Sequence, residues 1–539
     1  GTFKAYQFTV PSNTLSMEVR LEGRVGKPEM TLARTNQLPN PYHSYGSYGV
    51  LNPQYSDDDL ITIANPAAGD YSLLVYAWPT NNSLYFSYPD ASYTVRVHAV
   101  TATEVGFDGG TATVSNQPAA EWRYFKVTVP TNTLGWDIRL TGVTSGDPRL
   151  VVRRDQLPSD LTTSGYWIPY TWGTGPHQAT NWISGQQWSA GYDWTKRYYD
   201  GPSSTAYRYG HILAMGMNNP LEAGTYYIGV TGGGGTNALG YTLQSRGIGP
   251  GFAIPVVDLD FQNGSITNTL APRDAAYYRV TITNNPSSWK ARLNPTVGEA
   301  LMQVQMGYLP NIQYGAFTYN TAYPFGGERM SKAGPEHWVA LPESYTTNAI
   351  PNGVYYIAVV SEGQNPPDQN TIGSGTSTYV IQSLGALGVT NLGTLSAVDL
   401  VQADNVEGGT FKAYQFTVPS NTLSMELRLE NRVGNPRITA VATNLVPYPT
   451  TTIQQPYGNY GYFGGRFSDK YDDDLITWPN PKPGTYSLVV QASPTASDYW
   501  SFPNASYTLR VRRQEVPVLN FSASLNTNGF SNSVTGLLA

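Results

Sequence analysis

The chain has 539 residues with no cysteine, 54 glycines, 39 prolines and 40 tyrosines, and its charged and aromatic fractions are each 13%. At the usual ~100–200 residues per domain, that length corresponds to about three to five domains. A formal charge of −6 with no basic run gives no source for the counterion release that drives nucleic-acid binding. The lack of cysteine excludes a disulfide framework, a thiolate zinc site and a cysteine nucleophile.

No stretch approaches the ~20 apolar residues of a membrane helix, so membrane insertion is not expected. The chain opens at Gly1 without a basic and apolar leader and reads as processed or excerpted. Abundant Tyr, Thr, Gly and Asn with few Lys and Glu favour strands and turns, in the manner of secreted surface proteins.

The first element, Gly1 to Glu18, alternates with Tyr6, Phe8 and Val10 on one side and Gln7 and Thr9 on the other, the period-two mark of a half-buried strand. It recurs letter for letter as Gly409 to Glu426. DDDLIT at Asp57 returns at Asp472, and ASYT(V/L)RV at Ala91 returns at Ala505, so the two end units are copies of one domain. Between them, Tyr124 to Pro130 pairs with Leu221 to Val230, and Tyr277 to Thr283 with Asn352 to Val360, as the opening and closing strands of two further units. Proline and glycine punctuate the turns, as in Asn65-Pro66-Ala67-Ala68-Gly69, and long helical periodicity is absent. The expected fold is all-β: four tandem antiparallel β-sandwiches of jelly-roll or immunoglobulin-like type. They span 1–98, 99–250 with an aromatic insertion at 161–207, 251–386 and 387–513, followed by a tail at 514–539.

The Y-F-x-V-x-V strand, the step Asp147-Pro148-Arg149-Leu150 and the strand Leu221-Glu222-Ala223-Gly224-Thr225-Tyr226-Tyr227-Ile228-Gly229-Val230 resemble the bacterial pre-peptidase C-terminal (PPC) domain. That family is a small secreted β-sandwich attached to secreted enzymes or surface proteins. The resemblance covers all four units and implies a bacterial extracellular location, on the cell surface or an appendage. It carries over no catalytic residue.

Units two, three and four each have an extra opening segment, such as Ile254 to Ala271 and Val389 to Gly408, which unit one lacks. The tail, Val516 to Ala539, looks like that missing strand. The spacing from Leu538-Ala539 into Ala5-Tyr6 matches that from Leu270-Ala271 into Ala276-Tyr277. A sandwich short of a strand leaves an edge of unpaired backbone and an open apolar groove. Three occupants fit: the chain's own tail, the tail of another copy, or a neighbour in a longer tandem protein. The preferred one is another copy, by β-augmentation in an open head-to-tail filament. Phe3, Tyr6, Phe8 and Val10 are then the expected acceptor groove, and Val516, Val518, Leu519, Phe521, Val534, Leu537 and Leu538 the donated side chains.

Catalytic chemistry is not expected. The five histidines form no ligand spacing, and no G-x-S-x-G elbow or phosphate-binding loop is present. The triplets Asp57–Asp59 and Asp472–Asp474 lack the alternating calcium-loop pattern. They read as solvated turns, with Asp57, Asp59, Asp472 and Asp474 the carboxylates a Ca²⁺ would take; no other cofactor is expected. Trp167, Trp172, Trp182, Trp188 and Trp194 crowd the insertion of unit two. An interface or an intramolecular cover ranks there ahead of a glycan-binding face, the feature on which an adhesin or glycan-binding module would rest.

Overall fold

In the computed structural model the described residues are 2–39, 50–51, 60–78, 89–158, 161, 187–189, 212–216, 221–233, 237–272, 274–310, 327–330, 334–342, 348–364, 375–447, 466–467, 474–493 and 503–514. They form strands and no helix. Unit one contains β1 (Phe3–Val10), β2 (Ser16–Val25), β3 (Pro28–Ala33), β4 (Val50–Leu51), β5 (Leu60–Ala64), β6 (Gly69–Ala77) and β7 (Ser92–His98). Unit two contains β8 (Ala102–Glu104), β9 (Gly110–Gln117), β10 (Arg123–Val129), β11 (Gly135–Ser145), β12 (Pro148–Arg154), β13 (Gln187–Ser189), β14 (Ile212–Met215), β15 (Gly224–Gly232) and β16 (Leu239–Ile248). Unit three contains β17 (Val256–Asp258), β18 (Gly264–Leu270), β19 (Ala275–Ile282), β20 (Trp289–Val297), β21 (Glu299–Met306), β22 (Gly327–Met330), β23 (Glu336–Ala340), β24 (Gly353–Gly363) and β25 (Ser377–Ser383). Unit four contains β26 (Val389–Thr394), β27 (Leu400–Val406), β28 (Phe411–Val418), β29 (Ser424–Val433), β30 (Pro436–Val441), β31 (Arg466–Phe467), β32 (Leu475–Pro479), β33 (Gly484–Ala492) and β34 (Ala505–Arg513).

Each unit is a pair of sheets. In unit four one sheet runs β26-β28-β33-β30-β31 and the other β27-β34-β29-β32. Units two and three repeat this order as β8-β10-β15-β12-β13 with β14-β11-β16-β9, and β17-β19-β24-β21 with β18-β25-β20-β23-β22. Alternation along the strands fills the space between the sheets, as with Tyr414, Phe416 and Val418 facing Met425, Leu427 and Leu429 in one apolar cluster.

Two short motifs fix the turns. Pro-Xaa-Asn-Thr recurs directly after β1, β10 and β28 in units one, two and four. Asn13, Asn132 and Asn421 take the left-handed conformation there, with φ of 69°, 66° and 70°, which asparagine tolerates better than most residues. The following threonine hydroxyl bonds back to the proline carbonyl at 2.9 Å (Thr14 to Pro11, Thr133 to Pro130) or 3.0 Å (Thr422 to Pro419). The Gly-Xaa-Tyr signature is a tyrosine corner. The hydroxyls of Tyr71, Tyr226, Tyr355 and Tyr486 each donate to the carbonyl four residues earlier, at 3.0–3.1 Å, and tie the strand to the turn before it.

Consecutive units share buried contacts. Trp122, Tyr124 and Leu157 of unit two pack with Ala64 of unit one, and Val339 and Leu341 of unit three pack on Phe411 and Ala413 of unit four. Each junction also holds a charge pair: Arg20 with Glu121, Arg139 with Asp274 at 2.7 Å, and Arg292 with Glu407 at 2.9 Å. At the last of these, His337 lies 3.3 Å from Glu407. Burial pushes the imidazole down to about 4, against the opposing pull of the nearby Glu407 carboxylate. His337, followed by Arg292, holds the Glu407 carboxyl down at about 2.

Both shifts favour the form present at neutral pH. The folded chain binds fewer protons here than the unfolded one, so the stabilisation is complete above about pH 6.5 and is lost as pH falls through about 4 and then about 2. His337→Gln is expected to flatten the stability loss between pH 6.5 and 4. The effect is bounded at about 3 kcal/mol and is read as the difference between variant and parent denaturation midpoints across that range.

Candidate functional site

The open edges of unit one form the candidate site. Its sheets run β1-β6-β3-β4 and β5-β2-β7, which leaves β1 and β7 at the sheet margins. In units two to four the corresponding strands are covered. A first opening strand pairs parallel to the Y-x-x-V strand (β8 on β10, β17 on β19, β26 on β28). A second pairs antiparallel to the last long strand (β9 on β16, β18 on β25, β27 on β34). The single extra strand expected from sequence is thus two strands, one for each sheet. No counterpart of either occurs among the described residues of unit one.

The octapeptide FKAYQFTV occurs as both β1 and β28 and isolates the effect of this difference. Tyr6 is 36% exposed, whereas Tyr414 is 0%. On the facing strand Val97 is 39% exposed, and its counterpart Val511 is 0%. In unit four the opening segment supplies buried Leu395 and Val406, with Leu392 and Leu400 beside them. The Leu395 amide also donates to the Thr417 carbonyl at 2.8 Å. Phe8 and Val10 retain their own contacts in unit one: Phe8 stacks on Tyr71 with ring centres 5.8 Å apart, and Val10 is buried.

Phe3 does not line the groove. By strand alternation it lies on the opposite face from Tyr6. There its counterpart Phe411 is 5% exposed beneath Val339 and Leu341 of unit three, while Phe3 is 58% exposed. Leu38 shares this condition at 50% exposure, although Leu157 at the same place in unit two is fully buried against unit one. Among the described residues, unit one therefore presents an open groove and, around the corner, an uncovered receiving face. The pairing register also moves one expectation by a residue. Val10 and Ile282 stand opposite Gly69 and Gly353, so Tyr6 matches Tyr278 rather than Tyr277.

The phenols across the groove form a repeated cluster. Tyr6 and Tyr93 hydroxyls lie 3.1 Å apart in unit one, Tyr278 and Tyr379 2.7 Å apart in unit three, and Tyr414 and Tyr507 2.6 Å apart in unit four. Burial, then the hydrogen bond with Tyr6, raises the Tyr93 phenol above its ordinary range. Sequence alternation places Tyr6 in the groove but does not reveal Tyr93 as its partner, since β1 and β7 belong to different sheets.

Of the expected carboxylates only Asp474 is among the described residues. It is buried, and its Oδ2 lies 3.1 Å from an Arg432 guanidinium nitrogen, with Arg437 nearby. Burial pushes its carboxyl up to about 6, with Arg437 and Arg432 opposing. Asp474 is thus an internal ion-pair residue rather than an exposed calcium ligand. Asp57, Asp59, Asp472, Trp167, Trp172, Trp182, Trp194 and the tail residues Val516, Val518, Leu519, Phe521, Val534, Leu537 and Leu538 lie outside the described residues. Trp188 belongs to β13, whose backbone pairs with β12. No group of three or more potential metal-ligating side chains occurs among the described residues.

No family model matches the chain, and no curated protein does. Among solved structures, the CUB1-EGF-CUB2 domains of rat MASP-1 align over 48% of this chain and 99% of their own, at 8% identity and a TM-score of 0.14. Tripeptidyl peptidase 2 aligns over 94% of this chain at 8% identity and a TM-score of 0.15; the chain spans about 32% of that protein's length.

The duplicated octapeptide supplies an internal control. Phe416→Ala is expected to cost about 3–5 kcal/mol in the opening of unit four, and Phe8→Ala less than half of that in unit one of the unassembled chain. Native-state hydrogen exchange resolves the two units separately. Backbone amides of β1 and β7 are expected to exchange faster than those of β28 and β34, and equal protection would show that the unit-one edges are already covered.

Proposed function

We propose that the protein is the structural subunit of an extracellular filament. Residues 516–539 of one copy complete the first sandwich of the next, and no catalytic step is involved. The observation that carries this reading is the contrast between β1 and β28, one sequence in two environments that differ by two strands. A row of free backbone N–H and C=O groups backed by apolar side chains selects an extended peptide as its ligand, with backbone bonds giving affinity and alternate side chains giving specificity.

The tail suits that role. Val516-Pro517-Val518-Leu519 follows the pattern of Ile254-Pro255-Val256-Val257, which leads into β17. Carrying over the pairing of Val256 with Tyr277 and Val257 with Tyr278, Val518 stands opposite Ala5 and Leu519 opposite Tyr6. Phe521 then takes the place of Leu259, which is buried in the unit-three core. The far end of unit four also carries the residues with which unit one holds unit two. Asn65 bonds the Leu157 carbonyl at 3.0 Å, Ser16 bonds the Val100 carbonyl at 2.9 Å, and Arg20 meets Glu121. Asn480, Ser424 and Arg428 are their counterparts in unit four. A second copy docking there brings the donor strands and covers Phe3 and Leu38 in one step. Such a contact is heterologous, and an array of units with short connections does not close readily into a ring, so the product is an open fibre.

PPC-like sandwiches and a location on a bacterial surface or appendage belong to the same reading and are carried by the sequence resemblance alone. Electron microscopy and light scattering of the full chain are expected to show filaments, and of residues 1–514 only monomers. A peptide of residues 516–539 should bind the truncated chain one to one and protect β1 and β7 from exchange. A full-length chain that remains monomeric at high concentration would overturn the proposal.

A further inference from the structure

We infer that Asn532 of the incoming tail hydrogen-bonds the Tyr6–Tyr93 phenol pair and thereby sets the register of the joint, an inference that rests on the filament reading above. Wherever the groove is filled, its second opening strand brings a polar side chain onto these phenols. In unit three Asn268 reaches Tyr278 at 3.3 Å and Tyr379 at 3.4 Å. In unit four the Tyr414 hydroxyl donates to Asp404 at 2.9 Å. In unit two Phe125 takes the place of the first tyrosine, and Tyr241 donates to Gln117 at 2.7 Å. The unit-one pair has the same two hydroxyls and, among the described residues, no opening strand to supply the third group.

Burial pushes the Asp404 carboxyl up, but hydrogen bonds from Lys412 and Tyr414 outweigh it and hold the group below its ordinary value. The polar group therefore bonds within the cluster, and without one the phenols would be left unsatisfied once covered; in unit two, where Val114 stands opposite Tyr241, Gln117 supplies it from three residues further along the strand.

Units three and four, in which the polar residue stands directly opposite the second tyrosine, supply the template for the incoming strand. Asn268 stands opposite Tyr379 and Asp404 opposite Tyr507, and two residues later Leu270 and Val406 turn into the core. The tail run Phe530-Ser531-Asn532-Ser533-Val534-Thr535-Gly536-Leu537-Leu538 alternates so that Phe530, Asn532, Val534 and Leu538 share one face, and Ser531, Ser533 and Thr535 the other. Asn532 is the only amide or carboxylate on its apolar face. Asn532-Ser533-Val534 follows Asn268-Thr269-Leu270 and Asp404-Asn405-Val406 in order: a polar cap, a small polar residue facing out, and an aliphatic core residue.

The outer face agrees with this register. Thr269 and Thr378 hydroxyls bond across unit three at 2.9 Å, and Thr113 and Thr242 across unit two at 3.1 Å. With Asn532 opposite Tyr93, Ser533 faces Ser92 and Ser531 faces Thr94, which are the counterparts of Thr378 and Thr242. Leu537 then lies on the outer face rather than in the core. This register is also displaced by four residues from one that places Leu538 in the position of Leu270.

The full chain has no cysteine, so engineered pairs report register without background. Thr94→Cys with Ser531→Cys is expected to give a ladder of disulfide-linked oligomers under mild oxidation. Thr94→Cys with Thr535→Cys tests the register that puts Gly536 opposite Tyr93, and Thr94→Cys with Val534→Cys tests the one that puts Thr535 there; neither is expected to crosslink. Crosslinking by either control pair in preference, or by none of the three, overturns the assignment while filaments still form. Absence of filaments in the parent chain is instead a failure of the filament reading. Asn532→Val should speed subunit exchange by about two- to ten-fold, and this effect should disappear in the Tyr6→Phe/Tyr93→Phe background. Additive effects in that cycle also overturn it. Asn532→Asp should preserve the joint, since Lys4 occupies the place of Lys412, the partner of Asp404 in unit four.

Discussion

A β-sheet edge in water is tolerable while its strand is short, charged or backed by polar side chains, and becomes costly when an apolar layer lies behind it. Every sandwich in this chain meets that constraint at the same two places, the outer side of its Y-x-x-V strand and the outer side of its last strand. In units two, three and four the backbone immediately preceding the unit covers both, one strand parallel and one antiparallel. The connection between units is therefore part of the next unit's core. That explains why the junctions have little free linker and why each carries its own apolar contact and charge pair. It also makes burial a property of the neighbour. Tyr6 and Tyr414 have identical flanking sequence and differ in exposure because of strands drawn from elsewhere.

Much of the fold is legible in sequence because it rests on short-range periodicity. Alternation through Tyr6, Phe8 and Val10 identifies the strand and the face it buries, and duplication of Gly1 to Glu18 identifies the repeat. Features that depend on pairing are less accessible. The opening segment reads as one strand because β8 and β17 are only three residues each, too short to show a period of two, and their parallel partners lie further along the chain. Phe3 reads as part of the groove because it is apolar and near Tyr6, although odd parity sends it to the other face. Gly-Xaa-Tyr is visible as a motif without its reason, which is a hydroxyl returning to a carbonyl four residues back.

The site was legible to a similar degree. A groove at the start of unit one follows from comparing unit lengths, whereas its phenol pair requires knowing that residues 6 and 93 approach across two sheets. Charge pairs at the junctions join residues such as Arg139 with Asp274 and Arg292 with Glu407, far apart in sequence, and no local pattern marks them. Asp474 illustrates the opposite error. In a run of three acids it looks solvent-facing, yet the chain takes a positive φ of 40° there and turns the carboxylate inward onto Arg432.

Under the proposed filament, the repetition of unit one as unit four has a physical reason. A joint between copies needs a receiving groove at one end and, at the other, a platform that holds the next unit while its strands are inserted. Within the chain the platform of unit one, Ser16, Arg20 and Asn65, already holds unit two. Placing the same sequence at unit four provides Ser424, Arg428 and Asn480 where a second copy would dock. Inserting strands into a sandwich couples separation of copies to partial unfolding of a domain, so such a joint resists dissociation through its rate as well as its equilibrium. In the proposed filament, a chain without cysteine would be held to its neighbours through backbone pairing alone, with the proposed polar contact at the phenol pair selecting among the registers that an otherwise repetitive Ser- and Thr-rich strand would permit.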